Sequence, residues 1–360
     1  MNFTFDTIAP VHELVIVVPD LYLPRELRGA SSESAAFANV KGLERVARFG
    51  ARARLAYGWR EWLLRSAGRA DLEGVAPVCI AAATLDASSA ASADRHEAQP
   101  GARWIATAVH LHAGVRRVHL DHRGLLHLAP QEQAELAADF TRTFGSSNQA
   151  LAPLPAGEFL LNIPGVTAVA THEPARCVGG ELDELMPAGV AAAPLRRLLA
   201  EIEMWLHAQP LNEARSRRGQ PTVTGLWPWG AIGRIVRPER RAQSEVPRAF
   251  GEDAWLAGLC RIQGSECRAP PEHLEEVLAA GAGASVLLTG VGGQLRRDED
   301  TVAEALSRLD ERFISPALQA LRRGAVDGLS VVLNDTRVQV RRESLYRFWR
   351  RGRSGLAGFA

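Results

Sequence analysis

Residues 14–18 read Leu-Val-Ile-Val-Val, a continuous apolar run that ends at Pro19 and Asp20. A β-branched run without polar alternation is typical of a strand buried on both faces, as in a parallel sheet covered by helices. Three later runs have a similar character, and they lie at 223–229, 285–288 and 329–333. The repeated pattern predicts a buried sheet at the centre of the fold.

Helical periodicity separates these predicted strands. The clearest helix is Pro194–Ala208, where one stripe is apolar at a spacing of about 3.6 residues and Pro210 ends the helix. The stripe consists of Leu195, Leu198, Leu199, Ile202, Trp205 and Leu206. Further helices are expected at 40–55, 59–66, 130–144 (inner face Ala134, Ala137, Phe140 and Phe144) and 301–321 (inner face Val302, Leu306, Leu309 and Phe313). Strands that alternate with helices predict an α/β fold.

The middle of the chain differs in composition, which predicts a second lobe. Residues 81–101 are rich in Ala, Ser and Asp, and 151–189 are interrupted by prolines. The elements expected there are two or three strands over 104–128 with a turn near Asp121–Gly124, and short strands at 159–163 and 167–171. The expected division is a core over 1–101 and 194–360, with a smaller lobe inserted over 102–193.

Charge and composition exclude several classes of protein. The 42 Lys and Arg residues nearly balance 41 Asp and Glu residues, so the formal net charge is +1. We therefore expect neither a nucleic-acid partner nor an anionic membrane, because both need a strong positive field. Hydrophobic residues make up 46% of the chain, which indicates a globular protein. Lys41 is the only lysine, a skew typical of a GC-rich genome or of arginine's use in two-pronged anion contacts.

The cysteines and the N-terminus predict a cytoplasmic protein. The cysteines form no CxxC pair, which favours reduced thiols in a chain of this length; they are Cys79, Cys177, Cys260 and Cys267. The first residues, MNFTFDTIAPVHE, lack a basic segment followed by a long apolar run, so they do not resemble a signal peptide. No stretch reaches about 18 uninterrupted apolar residues, so no membrane span is expected.

Five of the ten histidines lie within eighteen residues, at His110, His112, His119, His122 and His127. On a strand, His110 and His112 share a face, and a facing hairpin strand would bring His119 close to them. Such a cluster is a candidate metal site, but no Cys or spaced carboxylate pair accompanies it. The alternative is a set of strand histidines that face water.

Asp20 directly follows the first predicted strand, where ligands of α/β sheets bind. It is a candidate catalytic or metal-binding residue, and an Asx turn or helix cap explains its position equally well.

The most unusual stretch is 210–233, PLNEARSRRGQPTVTGLWPWGAIG, which combines arginines, glycines and two tryptophans. Arg215 and Arg218 before a strand, with a Gly-rich turn after it, predict a phosphate-binding cleft lined by Asn212. Trp227 and Trp229 would form its apolar wall, although the same residues could simply pack in a core. The sequence contains no P-loop, Rossmann, HExxH or GxSxG motif.

The C-terminal segment 341–353 mixes arginines with Tyr346, Phe348 and Trp349. This pattern is compatible with contact to a single nucleic-acid strand or another macromolecule. We favour an amphipathic tail that packs its aromatic side chains and exposes its arginines. The alternative is that this segment binds a protein partner.

Four segments resemble the RpfE-type regulatory protein family, which is often described as phosphoglycerate-mutase-like. They are EIEMWLHAQPLNEARSRRGQPTVTGLWPWGAIG, WIATAVHLHAGVRRVHL, ERFISPALQALRRG and SLYRFWRR, and the resemblance spans nearly the whole chain. A more distant resemblance extends to archaeal-type cofactor-independent phosphoglycerate mutases of the alkaline phosphatase superfamily. It implies an α/β fold with an alkaline-phosphatase-like three-layer α/β/α core and an inserted smaller α+β lobe. It also implies a metal-binding Asp at the position of Asp20.

Several departures from the mutase pattern predict a loss of catalysis. The nucleophilic Ser of those enzymes is replaced by the stretch 73–77, EGVAP, and their Asp-His metal pair by Asn334, Asp335 and Thr336. No histidine follows His273, so the late imidazole ligands of a two-metal site are missing. The substrate motif Pro-His-Asp corresponds here to 172–176, HEPAR.

These features together predict a catalytically degenerate, bacterial member of this fold that acts by binding, in a regulatory role. We expect no cofactor and no metal, and a small anionic ligand in a cleft lined by the residues singled out above. The candidate binding residues are Asp20, His110, His112, Asn212, Arg215, Arg218, Trp227 and Trp229. The alternative is a metal-dependent phosphomutase or phosphatase with a rearranged site, in which Asp20 and Asp335 would hold the metal.

Overall fold

The computed structural model describes residues 13–19, 40–85, 101–113, 118–178, 182–240, 248–280, 286–288, 302–333, 335–346 and 359. The chain divides into two compact units. Unit 1 comprises Met1–Glu73, Arg241–Glu252 and Gln263–Ala360, and unit 2 comprises Gly74–Arg240 and Asp253–Ile262. The two units differ in extent from the predicted segments, because residues 194–240 pack within unit 2.

The described strands and helices confirm a mixed α/β fold. The strands are β1 (Glu13–Val17), β2 (Ala51–Arg54), β3 (Gly101–Ala113), β4 (Val118–Leu125), β5 (Ala150–Pro153), β6 (Phe159–Pro164), β7 (Gly225–Trp229), β8 (Arg248–Phe250), β9 (Cys267–Arg268), β10 (Val286–Leu288), β11 (Gly328–Leu333) and β12 (Thr336–Arg341). The α-helices are α1 (Lys41–Phe49), α2 (Gly58–Ser66), α3 (Pro77–Ala81), α4 (Pro130–Phe144), α5 (Pro174–Cys177), α6 (Leu182–Leu185), α7 (Ala193–His207), α8 (Pro210–Arg217), α9 (Ala254–Ile262), α10 (Leu274–Ala280), α11 (Val302–Leu309) and α12 (Ser315–Arg323). None of these helices is long and apolar enough to cross a membrane.

Unit 1 is built on a seven-stranded sheet in the order β2-β12-β11-β1-β10-β8-β9. The predicted strand at 14–18 is confirmed as β1, and it pairs in parallel with β10 and β11. Strand β11 is buried along its whole length, as its apolar sequence predicts. Leu14 and Ile16 of β1 join one core with Leu306 and Phe313 of the helical segment 302–323. The central position of β1 follows from its continuous apolar sequence, since both of its edges are hydrogen-bonded.

The predicted helix over 40–55 ends earlier than expected. It stops at Phe49, Gly50 is extended, and Ala51–Arg54 form the fully exposed edge strand β2 beside β12. The Ala-Arg alternation has a period of two, so it suits a strand better than a helix. Tertiary pairing with β12 therefore decides the conformation of this segment.

The helix predicted over 301–321 contains a wider π-helical turn at Asp310–Ile314, between α11 and α12. This turn places the Asp310 carboxylate at the start of α1. It accepts hydrogen bonds from the Gly42 and Leu43 N–H groups, at 2.9 and 2.6 Å, and from the Ser315 hydroxyl at 3.1 Å. Val40, the N-cap residue, offers no side-chain acceptor, so a residue remote in sequence supplies the cap.

Unit 2 is built on an antiparallel sheet in the order β4-β3-β6-β5, with β7 paired to β3. Strand β7 was predicted to belong to the core sheet, and this was wrong, because it pairs with β3 over Ile105–Val109. The predicted turn at Asp121–Gly124 was also wrong, since these residues lie inside β4. The segment predicted as a strand at 167–171 is irregular.

The helices of unit 2 confirm most of the predicted apolar stripes. The α7 side chains Leu195, Leu198, Leu199, Ile202 and Leu206 are buried, and Trp205 is partly buried. In α4, Ala134 is exposed, whereas Gln133 and Leu136 face the core. Gln133 is tolerated there because its amide donates to the Leu154 carbonyl at 2.9 Å.

Candidate functional site

Most candidate site residues at the carboxyl ends of the parallel strands lie outside the described residues. Asp20 and Asn334 lie outside the described residues, as does 289–301 after β10. Asp335 forms the turn between β11 and β12 with φ +58°, and its carbonyl accepts the Leu55 N–H at 2.7 Å. Within the described part of the chain, no three His, Cys, Asp or Glu side chains come together to hold a metal. Because Asp20 lies outside the described residues, a metal held by Asp20 and Asp335 stays a prediction.

Three of the clustered histidines do lie together on β3 and β4. His112 pairs directly with His119, and the rings of His110, His112 and His119 follow one another at centroid distances of 5.9 and 5.7 Å. The Nδ1–H of His110 donates to the Thr222 carbonyl at 2.8 Å, which fixes this ring against the segment before β7. His127 is held apart, with Nδ1 at 3.2 Å from the Ala156 carbonyl. The side chain of His122 lies outside the described residues.

Asn212 holds the segment before β7 in place. Its amide nitrogen donates to the Leu206 and Val223 carbonyls, both at 2.8 Å. Its amide oxygen accepts the Val223 N–H at 2.7 Å. These three hydrogen bonds use the side chain to connect the end of α7 with the approach to β7.

Arg215 and Arg218 converge on a single carboxylate, that of Glu132. Arg215 is almost fully buried, and it donates to Glu132 at 2.9 Å and to the Pro221 carbonyl at 2.8 Å. Arg218 is about half exposed, and it donates to the other oxygen of Glu132 at 2.7 Å. Each arginine thus has an internal anionic partner, and their role in an anion cleft stays a prediction.

Glu132 was missed by sequence reasoning, although its position three residues after Ala129 is a recognisable helix-start pattern. It accepts the Ala129 N–H at 3.1 Å at the start of α4, in addition to the two arginines. No pattern in the sequence shows that α4 and α8 meet, so the ion pair could not be predicted.

We expect Glu132→Gln to lower the free energy of unfolding by about 1–3 kcal/mol, because a buried Arg215 would lose its charged partner. Urea unfolding followed by circular dichroism measures this change. Glu135→Gln on the same helix is the matched control, because Glu135 is exposed and its carboxylate accepts a hydrogen bond from the Gln131 amide at 2.9 Å. An equal loss in both variants would contradict a structural role for the Glu132 cluster.

A pocket in unit 2 is lined by residues of β3, β7, α6 and α7, and we call it the Trp227 pocket. Its apolar walls include Leu111, Leu182, Leu185, Met186, Leu199 and Trp227. Polar side chains enter from Thr171 and from Glu203, which lies at the open rim. Partial burial there raises the pKa of the Glu203 carboxyl above its usual value.

The two tryptophans predicted as one wall separate in the structure. Trp227 lines the pocket, and its indole N–H donates to the His172 carbonyl at 2.8 Å. Trp229 is buried away from the pocket, and its indole N–H donates to the Thr107 hydroxyl at 3.0 Å. That hydroxyl in turn donates to Glu158 at 2.9 Å. Trp229 therefore belongs to a hydrogen-bonded network in the core.

The pocket walls on α6 and α7 were missed as site residues. Leu199 was predicted as a core position, and Leu182 and Leu185 lie in the proline-interrupted region. The sequence signal that could have identified these walls is the short apolar segment around Met186, which directly precedes the amphipathic helix α7.

The fold and the site thus define an α/β protein with an apolar pocket beside an antiparallel sheet. No family model and no curated protein matches the chain. One similar solved structure is the PH0037 protein from Pyrococcus horikoshii, with 16% identity, a TM-score of 0.45 and coverage of 92% of this chain and 88% of that chain. Another is the cofactor-independent phosphoglycerate mutase from Thermoplasma acidophilum, with 15% identity, a TM-score of 0.36 and coverage of 97% and 94%. Membership of the RpfE-type family stays a prediction.

Proposed function

We propose that this chain acts by binding a small, mostly apolar molecule in the Trp227 pocket, in a regulatory rather than a catalytic role. The observation that carries this proposal is the composition of the pocket, in which leucines, Met186 and an indole surround a few polar groups. Pockets of this composition are typical of small-molecule sites, where burial of apolar surface supplies affinity and the polar groups fix orientation.

The anionic ligand expected from the sequence receives less support than an apolar one. Arg215 and Arg218 already share the carboxylate of Glu132, and Asn212 is occupied by backbone groups. A phosphate would have to displace Glu132 from buried Arg215, at the cost of leaving that carboxylate unpaired.

Gly225→Val tests the site with little risk to the fold. A β-carbon at Gly225 would meet Val109 at 3.4 Å and Leu111 at 3.7 Å, which are ordinary van der Waals contacts, and valine suits a strand, so we expect the added side chain to compete with a ligand at this pocket-lining residue. We expect methyl pentyl ketone to shift the methyl resonances of Leu182, Met186 and Leu199 in the natural chain. We expect Gly225→Val to abolish those shifts.

The matched control is Met204→Ala, which changes an exposed α7 side chain outside the pocket and should leave binding unchanged. Methyl shifts that persist in Gly225→Val, or that never occur at millimolar ketone, would contradict the proposed site. Calorimetric binding of a phosphoglycerate that Arg218→Ala abolishes would favour the anionic ligand instead.

A further inference from the structure

One edge of strand β7 pairs with β3, and the register of this pairing determines which N–H and C=O groups of β7 point away from β3. Trp227 pairs with Thr107, and Pro228 pairs with Ala106. In an antiparallel ladder, hydrogen-bonded and non-hydrogen-bonded pairs alternate, and Pro228 has no N–H to donate. Pro228 therefore suits a non-hydrogen-bonded position, and Leu226 occupies the next such position along the strand.

The neighbouring hydrogen bonds fix this alternation independently. The Ala108 carbonyl accepts the Leu126 N–H at 3.0 Å, so the even-numbered residues of β3 face the β4 side. The Leu111 N–H instead donates to the Thr224 hydroxyl at 2.7 Å, on the β7 side. Gly230, two residues beyond Pro228, turns its carbonyl away from β3 and accepts the Val78 N–H at 3.0 Å.

The N–H and C=O groups of Leu226 thus point away from β3, together with the C=O of Pro228. No described residue forms a hydrogen bond with these three groups, and Leu226 is only 4% exposed. Buried backbone groups without partners are rare, because each unmade hydrogen bond costs free energy.

The unpaired edge of β7 is also where the Trp227 pocket lies. Four consecutive residues, 225–228, line the pocket, whereas a pocket on one face of a strand would touch alternate residues. Its walls come from both faces of the sheet, since Leu199 packs in the core with Leu226 and Leu185 packs in the core with Trp227. The pocket therefore spans the edge itself.

We propose that the ligand of the Trp227 pocket is a small amide with an apolar tail, whose C=O accepts the Leu226 N–H and whose N–H donates to the Leu226 C=O. An amide carries an acceptor and a donor side by side, as the edge of a strand does. Walls on both faces of the sheet favour a small molecule over an added peptide strand. This inference rests on the proposed function, because it names the chemistry of that same pocket.

Hexanamide and methyl pentyl ketone provide the test, because they have the same shape and differ only in NH₂ against CH₃. Without partners for its NH₂, hexanamide should bind more weakly than the ketone, since an unpaired amide loses its hydration. With the Leu226 groups available, we expect hexanamide to bind about 2–10-fold more tightly. Calorimetry on the full chain gives both affinities, and Gly225→Val should abolish binding of both compounds.

The amide proton resonance of Leu226 provides a readout that needs no variant. We expect hexanamide to move it downfield and to slow its exchange with solvent, while the N–H of Trp227, already bonded to β3, stays unchanged. Ketone binding that equals or exceeds hexanamide binding, with no movement of the Leu226 resonance, would overturn the amide inference and leave the apolar pocket intact. If neither compound binds, the proposed function fails as well. Binding of the extended dipeptide N-acetyl-leucyl-leucine N-methylamide, but not of hexanamide, would also overturn the small-amide inference, in favour of an added strand.

Discussion

Replacement of Gly258 by alanine is expected to lower the free energy of unfolding by about 3–4 kcal/mol, at the upper end of overpacking effects. A β-carbon built on Gly258 in α9 would lie 2.0 Å from the carbonyl oxygen of Ile80 and 2.7 Å from its carbonyl carbon. Both atoms belong to the backbone of α3, so no side-chain rotation relieves the overlap. The two helices can approach this closely only because residue 258 has no side chain.

Helix propensity alone predicts the opposite effect of Gly258→Ala, an increase in the free energy of unfolding. Alanine is a better helix former than glycine by about 1 kcal/mol. If residue 258 were exposed to solvent, replacing the glycine by alanine would therefore stabilise the helix. Gly145→Ala is the matched control, because its β-carbon would meet only the Thr141 methyl group at 3.7 Å. Urea unfolding followed by circular dichroism distinguishes the two cases. A Gly258→Ala variant as stable as the natural chain would show that α3 and α9 can separate at no cost.

Gly258→Ala should also weaken ligand binding at the Trp227 pocket. Val78 of α3 and Ala254 of α9 belong to the same hydrophobic core as Trp227. A shift of either helix would propagate to the tryptophan, because close-packed side chains leave little free space to absorb it. The affinity for methyl pentyl ketone in the folded variant measures this effect.

Local patterns predicted those elements whose burial is continuous or strictly periodic. Strand β1 and helix α7 were predicted from sequence, because only a strand buries the continuous apolar run of β1 and only a helix buries the apolar stripe of α7. Strand β2 was missed because its Ala-Arg alternation buries nothing, and only pairing with β12 makes it a strand. Strand β7 was predicted as a strand but placed in the wrong sheet, since an apolar run does not encode its partner.

The site was harder to predict than the fold, because its chemistry depends on contacts between distant segments. The sequence shows that Arg215 is unusual but not that Glu132, 83 residues earlier, neutralises it. The spacing of Trp227 and Trp229 places both on one face of a strand, and the pocket instead lies along the strand's edge. Edge exposure follows from sheet topology, which no local pattern specifies.

Replacement of Asp310 by alanine is expected to cost about 3 kcal/mol, because Gly42 and Leu43 would keep buried N–H groups without an acceptor. Asp310 is only 3% exposed, and the π-helical turn aims its carboxylate at the start of α1. The neighbouring exposed residue gives a matched control, since Glu311→Ala changes the same turn without touching the cap. Equal unfolding free energies for the two variants would contradict the cap.

The contribution of the Asp310 cap to the free energy of unfolding is expected to change with pH in one direction. Burial raises the pKa of the Asp310 carboxyl above its ordinary value of 3.8, although the Gly42, Leu43 and Ser315 donors oppose the shift. The folded chain therefore holds the proton more tightly than the unfolded chain, and ionisation costs stability as the pH rises past the unfolded value. Asn cannot titrate, so the stability difference between the natural chain and Asp310→Asn should shrink as the pH rises above about 4. A difference that grows over this range would show that the three donors outweigh burial, and that the ionised carboxylate is the form the α1 cap prefers.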